Sequence, residues 1–171
     1  MNIKEATQDL HTALEEVEFN VGMFKGEHSL LDRWRYLTMW KEVFSSLDPE
    51  VPEALQRCGK IRKDLDALYE HSPFAMLPMN SPEIVYDYIE TIATTECMSA
   101  HIYLNYMGFL YGGQIMKKLY KNTSSMYEFD DIKGAREFIR AEYVPEEYDE
   151  EFVQEVRCAF QYHIDIAKAL Y

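Results

Sequence analysis

The chain has 171 residues, of which 47% are apolar and 14% aromatic, and a formal charge of −13. That is enough apolar material for the core of one domain spanning residues 1–171, and it excludes a disordered chain. The acidic balance, with no Lys/Arg block against it, repels phosphate backbones and so argues against nucleic acid and anionic membrane as partners.

Ile3, Ala6, Leu10, Leu14 and Val17 recur at steps of three and four, which predicts one amphipathic helix over 3–18. "VGMFKGEHS" breaks it at Gly22 and Gly26. A second helix, rich in Leu with Trp34, Tyr36 and Trp40, is expected over 29–47. Pro49 and Pro52 end it, and a third follows over 53–70. "HSPFAMLPMNSPE" is a proline-marked loop closing on Ser81-Pro82-Glu83, an N-cap, a first-turn proline and a first-turn acid. The next helix runs to Glu96, and another over 97–121 is nearly continuous with it. "KNTSSMYEFDD" reads as a polar connection, and helices over 131–143 and 148–170 complete the chain. Strand alternation is weak throughout. The class is all-α, a compact bundle of about seven helices.

Cys58, Cys97 and Cys158 are odd in number and far apart, with no C-x-x-C, as expected of reduced thiols in a cytoplasmic protein. "MNIKEATQDL" has no apolar signal core, and no stretch approaches the roughly 18 apolar residues of a membrane span.

The chemistry-bearing features are few. Gly108, Gly112 and Gly113 lie inside a predicted helix, where they cost roughly 2–3 kcal/mol together against alanine. Spaced to open one face, they fit close helix–helix packing, or a flat ligand against bare backbone. Of five histidines, His28 and His71 fall in loops and read as surface residues, and His163 lies on the last helix beside Tyr162. His11 borders the apolar stripe of the first helix, with Glu15 one turn on. The pair fits an orienting carboxylate behind a metal-bound imidazole, or a plain surface His–Glu pair. Cys97 and His101 are spaced for zinc, but no second pair accompanies them. No histidine has Glu three residues before it, so a di-iron carboxylate bundle is excluded. No nucleophile elbow, P-loop or Rossmann fingerprint occurs.

"KEATQDLHTALEEVEF" at 4–19 resembles the first helix of heme oxygenases, and "AHIYLNYMGFLYGGQIMKKL" at 100–119 is similar to that family's distal helix. "FNVGMFKGEHS" and "CAFQYHIDIAKAL" fit its first junction and last helix, in the same order over nearly the whole chain. The resemblance implies an all-α fold with heme, both substrate and cofactor, between the first helix and the glycine helix. It implies oxidative opening of heme to biliverdin, with release of iron and carbon monoxide. Electrons would come from a ferredoxin or a flavoprotein reductase, in a short member without the membrane tail of animal forms. His11 matches the proximal iron ligand and Glu15 its orienting partner. Gly108, Gly112 and Gly113 match the distal face; Lys4, Arg136 and Arg140 match positions that hold the propionates; and Phe160 matches a wall aromatic. Gln8 replaces a second family lysine. Phe109 stands where the family usually carries an Asp that anchors water, Asn105 where it carries Arg, and Tyr111 where it carries a small residue. Asn105, the Tyr111 hydroxyl and the glycine carbonyls are then the groups left to order water. A heme-binding or heme-sensing protein without ring opening, and a helical enzyme of the thiaminase kind, are the rival readings. Lys117, Lys118, Lys121, Arg136 and Arg140 are expected to form a local basic face for the electron donor.

Overall fold

A computed structural model describes residues 2–72, 79–147 and 149–171. The middle of the proline-marked loop and the start of the last predicted helix, at 148, lie outside the described residues. The described residues form nine α-helices and no strand: α1 Ile3–Ala6, α2 Gln8–Glu15, α3 Glu18–Phe24, α4 Leu30–Leu47, α5 Cys58–His71, α6 Glu83–Thr94, α7 Met98–Leu119, α8 Ile132–Tyr143 and α9 Glu150–Lys168. Helix α7 is the central element, packed on α8 and α9, while α4 packs on α5 and α6 and α2 lies on α9.

The single predicted first helix is three short ones. Thr7 leaves helical geometry, and its hydroxyl donates to the Ile3 carbonyl (2.8 Å), a local bond that competes with the helix ladder. Val17 is extended, and the Asn20 amide donates to the Leu14 carbonyl (2.8 Å), adding a short bond at the end of α2 to the long one from the Val17 N–H (3.4 Å). Gly22 lies inside α3 rather than breaking it. Gly26 does the breaking: at φ +73° it forms, with Glu27, the paired bonds to Met23 and Gly22 of a Schellman ending.

The predicted helix over 53–70 begins late, after a 3₁₀ turn at Glu53–Leu55. The reason is Asp48, whose carboxylate accepts from the backbone N–H groups of Arg57 and Cys58 (2.8–3.0 Å) and caps α5 from across the preceding turn. Ser81 does not cap α6: the cap position is Pro82, and the buried Ser81 hydroxyl has no partner among the described residues. Helices α6 and α7 are separate, because Thr95 is extended and its hydroxyl accepts from the Cys97 N–H (3.1 Å). The connection over 121–131 is less polar than it reads. Met126 and Tyr127 are buried, held by the Asp64 carboxylate accepting from the N–H groups of Ser125 and Met126 (2.8 and 2.9 Å). The three cysteines are free thiols.

The three glycines of α7 do different jobs. A Cβ at Gly108 or Gly112 would meet nothing within 4 Å, whereas one at Gly113 would lie 2.5–2.8 Å from Tyr127, including that residue's own Cβ. Gly113 is a packing glycine; Gly108 and Gly112 border open space. Opposite signs follow in thermal melts of the ligand-free protein. Gly113→Ala lowers stability by roughly 1–3 kcal/mol through overpacking, and Gly108→Ala raises it by up to about 1 kcal/mol through helix propensity.

Two histidines are enclosed in the core. Burial, with His101 close behind it, brings His163 down to about 3, and burial also lowers His101. Below the ordinary histidine value near 6.5, the unfolded chain binds a proton that folded His163 refuses; above it neither state does. The contribution of His163 is therefore flat above about pH 6.5 and falls as the pH drops toward 3, by roughly 1.4 kcal/mol per pH unit, and the lowered His101 acts in the same direction. Urea unfolding at pH 7.5 and 5.5 measures this, and His163→Gln should flatten the loss.

Candidate heme site

A cavity of about 840 Å³ opens between α2 on one side and α7 on the other, with α1, α3, α4, α8, α9 and Tyr127 completing its wall. It falls within the range of roughly 300–1,000 Å³ usual for cofactor sites. Its lining is mostly apolar and aromatic, with a few polar groups near α1 and α2.

His11 lines the cavity from α2 and its side chain is 54% exposed. Glu15 is one turn on, with Oε1 3.6 Å from His11 Nδ1, an ion-pair distance too long for a hydrogen bond. Phe160 on α9 meets the His11 ring edge-on, with centroids 6.1 Å apart. Arg157, one turn earlier on α9, donates to both carboxylate oxygens of Asp9 (2.8 and 2.7 Å) and to the Ala6 carbonyl (2.8 Å). That hydrogen bonding holds the Asp9 carboxyl down at about 2. The segment carrying His11 is thereby tied to α9.

Across the cavity, Gly108, Gly112 and Gly113 all line the α7 wall, the first two without any side chain over them. Phe109 also lines it, buried edge-on to Trp40 and Phe44 and stacked on Tyr127. The α7 side of the cavity is an aromatic wall with no carboxylate. Tyr111 is half-exposed at the mouth, and its hydroxyl accepts from Arg136 (3.3 Å). Lys4, Gln8 and Arg140 line the mouth; Arg136 stands one turn from Arg140 on α8 without lining it.

Asn105 does not line the cavity. It is fully buried behind it, its amide N donating to the Tyr88 hydroxyl and the His101 carbonyl (both 2.8 Å) and its amide O facing His163 Nε2 at 3.0 Å. The residue between it and the open space is His163, which does line the cavity. His101 bonds Tyr88 (3.2 Å) and Glu155 (3.0 Å), so it has no ring nitrogen to share with Cys97, and no metal-binding cluster exists among the described residues. His28 is half-buried against Phe19 (centroids 4.0 Å), with Nε2 2.8 Å from the Phe19 carbonyl, rather than a surface residue. His71, at the end of α5, is exposed.

Trp40, Tyr36, Asn20, Tyr127 and His163 are wall residues that sequence reasoning did not assign to the site. Trp40 and His163 had a detectable signal, an aromatic and an imidazole on the apolar faces of long helices. Tyr127 had none, because it comes from a segment that reads as a loop.

The comparisons with known proteins agree with this architecture. A family model described as heme oxygenase matches residues 1–169. Heme oxygenase 1 of Gallus gallus is 26% identical over 164 residues, covering 80% of this chain and 55% of that protein. Heme oxygenase 1 of Synechocystis is 26% identical over 160 residues, 80% of this chain and 66% of that one. The chain thus spans little more than half the length of the avian relative. Among solved structures, heme oxygenase from Leptospira interrogans superposes with a TM-score of 0.80 at 24% identity, covering 97% and 96% of the two chains. Heme oxygenase-1 of Synechocystis in complex with heme does so with 0.77 at 22%, covering 96% and 88%. Among the described residues no helix is long and apolar enough to cross a membrane. With a whole-chain family match standing beside an all-α bundle of the same shape, this chain belongs to the heme oxygenase family.

Proposed function

We propose that the cavity binds heme, with His11 as the iron ligand, and that the protein opens the ring to biliverdin with release of ferrous iron and carbon monoxide. The observation that carries this is an exposed imidazole on α2 sharing one cavity with two glycines of α7 that have open space where a side chain would be. A flat macrocycle needs both: a neutral nitrogen donor on one face and main chain at van der Waals distance on the other. When bound, heme supplies the iron that activates dioxygen and is itself the molecule oxidised.

The chain's own residues do the rest. Glu15 stands one turn behind His11 with its carboxylate nearest Nδ1, where a small side-chain movement would let it orient the ring. Phe160 holds the imidazole edge. Lys4 and Arg140 at the mouth, with Arg136 beside them, are the cations suited to two propionates, and Gln8 adds a neutral donor. Phe109, Trp40 and Tyr127 exclude bulk water from the α7 side. The Tyr111 hydroxyl accepts from Arg136, which links the glycine helix to the cationic side of the mouth.

A second reading, a heme-binding or heme-sensing protein without ring opening, has Phe109 in its favour, since that aromatic cannot anchor water. Hemin titration followed by reduced ferredoxin or ascorbate under oxygen separates the two. Appearance of biliverdin supports the enzyme; a lasting oxy-heme or ferryl spectrum after reductant supports the binder; absence of a Soret band removes both. His11→Ala should change the ferric spectrum and weaken hemin binding at least about tenfold, a loss of roughly 1.4 kcal/mol or more.

The electron donor is proposed to dock where α7 and α8 expose cations in an otherwise acidic protein. Lys117 and Lys118 end α7, Lys121 follows, and Arg136 and Arg140 lie on the adjoining α8. Replacing Lys117 and Lys118 by Glu should slow reduction by ferredoxin several-fold at low ionic strength, an effect that salt diminishes. Stopped-flow reduction of the hemin complex measures it, and equal rates would remove this surface.

A further inference from the structure

We propose that His163 is the hydrogen-bonding residue of the α7 side of the cavity, fixed in one tautomer by Asn105 so that its Nδ1 faces the open space as an acceptor for water. The proposal rests on the heme reading above.

A single chain of hydrogen bonds permits only one assignment of protons. The His101 carbonyl can only accept, so the atom of Asn105 facing it is the amide N, a donor. The same N donates to the Tyr88 oxygen. The Asn105 oxygen is therefore the atom at 3.0 Å from His163 Nε2, and since an amide oxygen only accepts, Nε2 carries the proton. Tyr88, having accepted from Asn105, donates its own proton to His101 Nδ1 (3.2 Å). His101 then donates from Nε2 to the Glu155 carboxylate (3.0 Å), which is partly open to solvent and also accepts from the Thr95 hydroxyl (3.1 Å). Every link has one donor and one acceptor, and the chain runs from the cavity wall to the surface without a break.

Burial keeps His163 unprotonated at its second nitrogen at neutral pH, so Nδ1 is a bare lone pair. Among the described residues Nδ1 makes no hydrogen bond, and with Nε2 turned to Asn105 it is the ring nitrogen left for the cavity that His163 lines. Its position is on the glycine side. The ring lies 4.6 Å from Trp40, which in turn meets Phe109 of α7 at 5.2 Å. Phe109 cannot order water, whereas the imidazole one helix away can. Asn105 acts only through His163 and is a positioning residue.

Two measurements test this. In ligand-free, ¹⁵N-labelled protein, long-range ¹H–¹⁵N correlation of the histidine rings should show His163 neutral, with Nε2 protonated and Nδ1 bare. Asn105→Leu should give a tautomer mixture or the reverse tautomer. A protonated Nδ1 in the unsubstituted protein overturns the proposal. In the ferrous hemin complex, the infrared stretch of bound carbon monoxide reads polarity beside the ligand. His163→Leu should move it to higher wavenumber, and His163→Gln, which offers both a donor to Asn105 and an acceptor to the cavity, should recover part of the shift. An identical stretch in the unsubstituted protein, His163→Leu and His163→Gln overturns the proposal even where biliverdin is formed. If hemin does not bind at all, the heme reading fails and the ring tautomer alone decides the inference.

Discussion

The candidate site depends on one arrangement: helix α9 is the common wall for both the segment that carries His11 and the helix that carries the glycines. Helix α2 is eight residues long and none of its side chains is fully buried; Leu10 and Leu14 pack half-buried against the core. Arg157 adds a directional tie, by a forked pair of bonds to Asp9 and a third to the Ala6 carbonyl at the break between α1 and α2. An exposed ion pair alone contributes little. Here the same guanidinium also satisfies a main-chain acceptor that the break exposes, which gives it a geometric role that a surface pair lacks. Three residues later on α9, Phe160 meets the His11 ring, and three later again, His163 reaches the α7 side. One face of one helix thus addresses both walls of the cavity.

The breaks in the chain's first twenty-four residues belong to the same design. A continuous helix over 3–18 would run straight past the cavity. Interrupting it at Thr7 and at Val17 lets short pieces wrap the opening, and each interruption is closed locally, by the Thr7 hydroxyl and by the Asn20 amide. Asn20 itself lines the cavity, so the group that ends α2 is also part of the wall. Gly113 serves α7 in a comparable way: by yielding to Tyr127 it lets the 121–131 segment close against the core, which places an aromatic ring behind Phe109.

Buried polarity is concentrated where the helices must be registered. Asp48 gathers two backbone donors and the Tyr106 hydroxyl (2.7 Å). Arg57, wholly buried, donates to the carbonyls of Ala54, Leu55, Met126 and Glu128. The Asn105–Tyr88–His101–Glu155 chain crosses α6, α7 and α9. Each joins local partners to others distant in sequence, as Arg57 does between Ala54 and Leu55 on one side and Met126 and Glu128 on the other, and an unsatisfied member would cost on the order of 1–3 kcal/mol. Such networks tolerate one packing of the helices and penalise the others.

The order of residues alone determined the all-α class and the long helices near 30–47, 98–119 and 132–143, which follow from apolar periodicity. The pairing of His11 with the glycines of α7 came from the resemblance of the two segments to heme oxygenases, since each feature by itself also fitted a plain structural use. Tertiary structure decided the rest. That Gly113 differs from Gly108 and Gly112 depends on Tyr127, fourteen residues on in a segment with no periodic signal. That Asn105 sits behind the wall while His163 stands in it depends on which side of α7 meets α9. The start of α5 depends on a carboxylate ten residues earlier. In each case the deciding partner lies outside the few turns over which a local pattern carries information, so periodicity could identify the helices but not the side chains that meet between them.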